Sequence, residues 1–395
     1  MNILLFDDPS IRTELLPLTF TRPTACIRIG IMTIAEKWIK RLGHNVSFLT
    51  EDYLAEKFPA NAGSDNLFIN GALCPDDDLV KAIQSLQPET RLTWNDMLLA
   101  QRTSALKPDA NKTIKQTEYN HEFLLVDRVW KIFQHNGAQI RADFNILTKG
   151  RTSAPINDRH TAVYGEKDIF AEEGVTIRAA VLNAEDGPIY LGRNSTVLEG
   201  ALVKGPLALC EGSQLSMGSK MRGDTTLGPY SKVGGEVSNS VIFGNSNKAH
   251  DGFMGNSVLG EWCNIGADTN TSNLKNNYEN VRIWSYAHGG FRDTGLQFCG
   301  LIMGDHSKCG INTMFNTATL VGVSANIFGD GFPRTFIPSF SWGGASGFTT
   351  FQLEKAFDTA RKVMIRREIA LSDTDRRILE KVFELSSVNR IWEKQ

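Results

Sequence analysis

His250 is the side chain of this sequence best suited to moving a proton. Imidazole titrates near neutral pH, so a histidine takes and returns a proton under ordinary conditions. It lies in Asn247-Lys-Ala-His-Asp-Gly252, a glycine-flanked segment whose apolar spacing departs from the regular pattern around it. Such a break lets a side chain leave a regular surface and face a ligand or a neighbour. Adjacent residues of an extended chain point to opposite sides, so Asp251 is a poor orienting partner and Glu236 is the better candidate. A second chemistry would use His250, His288 and His306 as zinc ligands of a trimeric metalloenzyme, although no closely spaced histidine pair supports it. The six cysteines (Cys26, Cys74, Cys210, Cys263, Cys299 and Cys309) are scattered, with no CxxC pair. In a reducing compartment they read as small core residues.

The elements that would carry these residues follow from a repeat. Thirty-five glycines accompany an apolar residue at every sixth position. Leu191, Val197, Val203, Leu209, Leu215, Met221, Leu227 and Val233 form one unbroken series. A second phase holds Leu259 and Ile265, and a third holds Met303, Cys309, Phe315, Val321 and Ile327. A period of six is neither helical nor that of a simple strand. It fits short strands joined by tight turns, one aliphatic residue per strand pointing inward, three strands to a triangular coil. Coils then stack at the strand spacing of about 4.8 Å. The spacing slips near Val237 to Phe243 and vanishes between Asn273 and Cys299, which predicts a loop ejected from a coil there.

The rest of the chain reads differently. Ile3-Leu-Leu-Phe, Val46-Ser-Phe-Leu-Thr and Asn66-Leu-Phe-Ile-Asn predict strands. Helices are expected from Gly30 to a stop at Gly43, from the acidic start Pro75-Asp-Asp-Asp, and over Phe123–Gly137. Residues 1–150 are therefore expected to form an α/β domain, 151–350 a β-helix, and 351–395 a helical cap over its open end. Apolar residues make up 41% and charged residues 22% of the 395, and the net charge is −2. That balance gives no electrostatic case for nucleic acid or an anionic membrane. The N-terminus lacks the basic start and long apolar run of a signal peptide, and a cytoplasmic location is the expectation.

Several phrases resemble a known family. Lys248-Ala-His-Asp-Gly-Phe-Met-Gly and Gly260-Glu-Trp-Cys-Asn-Ile-Gly-Ala-Asp-Thr-Asn-Thr-Ser-Asn273 resemble the acetyltransferase half of the GlmU proteins. Those are bifunctional glucosamine-1-phosphate acetyltransferases and N-acetylglucosamine-1-phosphate uridyltransferases. Phe6-Asp-Asp-Pro, Leu16-Pro-Leu-Thr-Phe-Thr-Arg-Pro, Gly228-Pro-Tyr-Ser-Lys-Val-Gly-Gly-Glu-Val, Cys299-Gly-Leu-Ile-Met-Gly-Asp-His-Ser-Lys and Pro338-Ser-Phe-Ser-Trp-Gly-Gly resemble a GlmU-like sugar nucleotidyltransferase family. The resemblance implies a left-handed parallel β-helix of hexapeptide repeats behind a shortened nucleotidyltransferase-like α/β domain, with C-terminal helices, in a homotrimer. It implies transfer of acetyl from acetyl-CoA to a sugar phosphate in UDP-N-acetylglucosamine synthesis, with His250 as base. Arg222 would hold the sugar phosphate, and Asn264 and Asn273 would contact sugar and base.

The resemblance also places Arg12 and Arg22 at basic positions that would neutralise the triphosphate of UTP, with Mg2+ if that half is active. Three departures stand out. Ser238 replaces a basic position and Phe253 a tyrosine, both of which contact the sugar in the family. The glycine loop after the first strand is replaced by Asp7-Asp8, which would repel phosphate unless a metal sat between them. The alternative is a scaffold or regulatory β-helix with a degenerate nucleotidyltransferase domain.

Overall fold

The computed structural model describes residues 1–108 and 114–394. The chain divides into two compact units. The first comprises Met1–Leu15, Thr21–Ile27 and Met32–Arg128, and the second Leu16–Phe20, Arg28–Ile31 and Val129–Gln395.

The first unit is built on a six-stranded sheet. Asn2–Phe6 pairs in parallel with Ser47–Leu49 on one side and Asn66–Asn70 on the other. The chain thus moves outward in both directions from the first strand. The carboxyl ends of such strands border the crevice where α/β sheets bind ligands. Leu4, Phe6 and Phe68 form a buried cluster on the sheet. The helix expected to stop at glycine runs over Ile34–Leu42, with Thr33 in a capping box and Gly43 in the left-handed conformation at its end. The acidic helix start is Asp76, whose carboxylate caps Asp77–Gln84 through the Leu79 amide. Trp38 is fully buried, and its Nε1 donates to the Leu73 carbonyl at 2.9 Å.

The second unit is a parallel β-solenoid. Its strands line up in three stacks, one of nine strands, one of eight, and one formed by parallel runs of five and three strands bridged through Asn264. Ile189 pairs with Leu207 and Leu207 with Thr225, eighteen residues per coil, as three hexads require. The inward residues form one continuous apolar core from Ile169 to Ile337. The coil from Leu227 to Ile242 is shorter, at fifteen residues. Tightened corners put the inward residues Val237 and Ile242 four and then five positions on from Val233 and Val237, which is the slip seen in the sequence. Counting six from Ile242 reaches Lys248, and six more reach Met254. The hexad spacing is therefore intact around His250. The expected break there was a change of residue type, a lysine at an inward position, and not a change of spacing.

One solenoid face is covered. The expected helix over Phe123–Gly137 lies further along, as Val129–Gln134 and Asn136–Thr148. Ile140 and Phe144 pack with Ile31 on Phe170, Ala208 and Cys210 of the nine-stranded face. Asn136 and Asp143 accept hydrogen bonds from the Gly30 and Ile31 amides at 2.7 and 2.8 Å. The ejected loop between Asn273 and Cys299 carries a two-stranded hairpin, Arg282–Ser285 with Gly290–Asp293. At the far end Ser341–Gly344 turns back antiparallel against Gly347–Thr350, and helices Leu353–Ile365 and Asp373–Ser386 follow. Phe383 meets Phe340 edge-on at 5.0 Å. No helix among the described residues is long and apolar enough to cross a membrane.

Candidate functional site

His250 stands at the corner between Asn247–Lys248 and Phe253–Gly255, and its side chain is exposed. Gly234 and Gly235 beneath make the corner possible. A Cβ on Gly234 would lie 2.3 Å from the Ala249 carbonyl oxygen, and one on Gly235 2.9 Å from that of His250. Gly235 also has φ +70°, which favours glycine. Any side chain there would push the histidine corner off the coil.

Beside this corner the eight-stranded face presents a column of outward residues in register. Lys220 lies next to Glu236, Glu236 next to Phe253, and Ser238 next to Gly255. Arg222 donates from Nη1 to the Glu236 carboxylate at 2.9 Å. The Asn273 amide donates to Asn256 Oδ1 at 2.8 Å and sits with the Phe253 ring over Gly255, where a Cβ would meet both. Arg222, Glu236, Phe253 and Asn273 thus share one face, with His250 at its edge. Asn264 is exposed on the adjoining face, bridged to Asn247 and Lys308, on the other side of the histidine corner.

A groove of about 810 Å³ opens on the face that carries Arg222. Arg141, Lys204, Lys220, Asp224 and Glu236 also line it. Half-burial pushes the Asp224 carboxyl above its ordinary range, with Arg141 opposing. The sequence reading had singled out neither Lys204 nor Lys220. Their signal is that both occupy outward positions flanking inward Val203 and Met221, one strand apart, so that they fall on the Arg222 face.

Lys248 was also missed. It is 1% exposed, with its side chain in the coil interior. Its Nζ donates to the His250 carbonyl at 2.6 Å and to that of Asp251 at 3.2 Å. Burial lowers its pKa to about 8, with Asp251, Cys309 and Asp268 pulling the other way. Outside the coil, Arg367 donates to Asn247 Oδ1 at 3.0 Å.

In the first unit Arg12 is 5% exposed. Its guanidinium donates to Asp7 Oδ2 at 2.9 Å, the Arg22 carbonyl at 3.0 Å and the Tyr53 hydroxyl at 3.0 Å. Asp7 further accepts from the Thr24 amide and the Thr50 hydroxyl. Asp8 caps helix Pro9–Glu14 by accepting from the Ser10 and Ile11 amides. Arg22 is also 5% exposed. The structure brings Arg12 and Arg22 together beyond the first strand, with the charge of Asp7 already met by Arg12. Asp7 therefore does not fit a dedicated divalent-metal site, because both its oxygens are committed to protein donors, and Asp8 Oδ1 is taken up by the helix cap. Among the described residues no three His, Cys, Asp or Glu side chains converge as metal ligands. His250, His288 and His306 do not come together, and His306 instead stacks on Trp262 at 6.2 Å.

Residues 3–152 match the sugar nucleotidyl transferase family model. The bifunctional protein GlmU of Methanocaldococcus jannaschii is 34% identical over 87 residues, 22% of this chain and 21% of that protein. The bifunctional sugar-1-phosphate nucleotidylyltransferase/acetyltransferase of Sulfurisphaera tokodaii is 30% identical over 159 residues, 40% of this chain and 37% of that protein. The chain thus spans between about a fifth and two fifths of these relatives' length. The polySia-specific acetyltransferase NeuO aligns at 13% identity over 48% of this chain and 86% of its own, with a TM-score of 0.27.

Proposed function

We propose that the solenoid unit transfers acetyl from acetyl-CoA to an amine on a sugar phosphate, with His250 as the general base. The observation that carries this reading is the exposed histidine, set on a two-glycine seat at the edge of a face bearing Arg222 and Asn273. In the proposed step the amine nitrogen attacks the thioester carbonyl, a C–N bond forms and the C–S bond breaks. His250 takes the amine proton. Coenzyme A leaves as its thiolate, to be protonated from the imidazolium. Arg222, with Lys204 and Lys220 nearby, supplies positive charge for the sugar phosphate. Asn273 and Asn264 provide amides on either side of the corner. Ser238 carries no charge and Phe253 no hydroxyl, so the acceptor is held mainly from the Arg222 side.

We further propose residues 1–150 as a nucleotidyltransferase-like domain, 151–350 as the acyltransferase domain and 351–395 as its helical cap, in a cytoplasmic protein of UDP-N-acetylglucosamine synthesis. Gln395 lies outside the described residues. In the first domain Arg12 and Arg22 would meet the triphosphate of UTP, and Mg2+ would arrive bound to that substrate. The committed hydrogen bonds of Arg12 and Asp7 favour a second reading for this half alone, a domain that folds without turning over UTP.

Incubation with acetyl-CoA, glucosamine-1-phosphate, UTP and Mg2+ tests both halves. An N-acetylated sugar phosphate is expected. UDP-linked sugar would establish that the first half is active, and neither product would overturn the enzymatic reading.

The assembly proposed is a homotrimer, with solenoids packed side by side. Exposed Leu202 and Met314 on the eight-stranded face, with Met217 and Ile311 in the turns that lead into it, are the apolar surface such packing would bury. Sedimentation at micromolar concentration should give a species three times the chain's 43.7 kDa. A monomer would count against it.

A further inference from the structure

One inward column of this solenoid carries a charged side chain among apolar neighbours. Val233, Lys248, Ile265, Cys309 and Ile327 occupy equivalent positions on successive strands of one stack, and lysine is the one charged side chain among the five. Met254 and Ile242 flank Lys248 at hexad spacing. A methionine or leucine would satisfy the core equally well. A buried lysine costs desolvation that a folding role alone does not recover, since apolar replacements of buried charges are often neutral or stabilising. Lysine does one thing here that no aliphatic residue does: it hydrogen-bonds the His250 and Asp251 carbonyls from beneath.

We propose that Lys248 is a positioning residue for His250, its ammonium fixing the two corner carbonyls from inside the coil and so setting where the imidazole stands outside. The proposal rests on His250 acting as base. The strand before the corner is held from outside by Arg367 on Asn247, and the turn is seated on Gly234 and Gly235. The Lys248 bonds complete the restraint. The Asp251 carbonyl also receives the Asp268 amide at 3.1 Å. The charged groups facing the ammonium are Asp251 and Asp268, with the Cys309 thiol beside them. Deprotonation weakens the two bonds, so turnover should fall as pH rises through about 8. The acceptor amine gains its free base over the same range, which would raise the rate, so a falling limb belongs to the enzyme.

The test uses the full chain as wild type, Lys248→Met, His250→Ala and the double variant. Hydrogen–deuterium exchange of residues 249–252 is read first, because it requires no acceptor. Lys248→Met should speed exchange there about tenfold or more and leave the neighbouring coils unchanged. With acetyl-CoA and glucosamine-1-phosphate, the turnover number should drop by about 10–100-fold, as a misplaced catalytic group implies. KM for acetyl-CoA should stay within a few-fold, and the limb above pH 8 should disappear. In the His250→Ala background Lys248→Met should have little further effect, because both act through one group. Unchanged exchange at 249–252 overturns the proposal, as does a Lys248→Met loss of the same size with and without His250. If His250→Ala keeps wild-type activity, the base assignment fails, and the exchange experiment still decides whether Lys248 holds the corner.

Discussion

Replacing His250 by alanine should lower acetyl-transfer turnover by about 10²–10⁴-fold, the range by which general bases contribute. Acetyl-CoA affinity should change only a few-fold, because the imidazole meets the acceptor amine and not the thioester's carrier. The side chain is exposed at a corner and packs into no core, so the variant should fold and melt as wild type does. His250→Asn keeps a polar group of similar size but cannot accept the proton at neutral pH, and it should lose as much. A pH series completes the measurement. Both variants should respond to pH alike, without the limb that a catalytic base contributes to the wild type. Variants within a few-fold of wild type on an accepted substrate would make His250 a surface residue and favour a scaffold.

The second large effect is expected in stability. Arg12→Ala should cost the first unit about 3–5 kcal/mol, the usual penalty for removing one partner of a buried ion pair. The Arg12 and Asp7 side chains are each 6% exposed, so Asp7 would be left charged and buried. The Arg22 carbonyl and the Tyr53 hydroxyl would each lose a donor as well. The calorimetric transition of this unit should fall by on the order of 10 °C or more, given the shift per kcal/mol for a domain of that size. Loss of UTP turnover in this variant would then report unfolding and not a lost phosphate contact. Arg22→Ala, measured at a temperature where the unit stays folded, is the cleaner probe of triphosphate binding. An unmoved transition in Arg12→Ala would show that the pairing carries no stability.

The solenoid was legible in the sequence because its rule is local and repeated. One aliphatic residue every sixth position must face inward, and Leu191 to Val233 obey it without exception. The helix ending at Gly43 was legible for a similar reason, since a left-handed residue ends a helix cheaply only as glycine. The hexad count was lost at Lys248 because a polarity pattern treats lysine as outward. Whether it turns inward depends on two carbonyls that only the folded corner brings within reach. Phe123–Gly137 was misplaced because the helix is fixed by partners distant in sequence: the Gly30 and Ile31 amides bonded to Asn136 and Asp143. For Arg12, charge and position after the first strand were visible, but not the four-way burial with Asp7, Arg22 and Tyr53. Arg222 and Asn273 fall on one face by strand register, which a hexad series does determine. Their neighbours Lys204 and Lys220 were available by the same count.

The hairpin that leaves the solenoid after Thr271 has a thermodynamic consequence. Leu259 pairs with Met303 across the excursion, and Met303 then pairs with Val321 at the ordinary interval. Each coil is therefore held by the coils above and below it, whatever length of chain intervenes. Such a stack behaves as a one-dimensional lattice with nearest-neighbour coupling. Damage to one coil weakens two junctions and is not passed further by the chain itself. Extra segment can enter at the hairpin for little more than the entropy of a longer loop, which grows only logarithmically with its length.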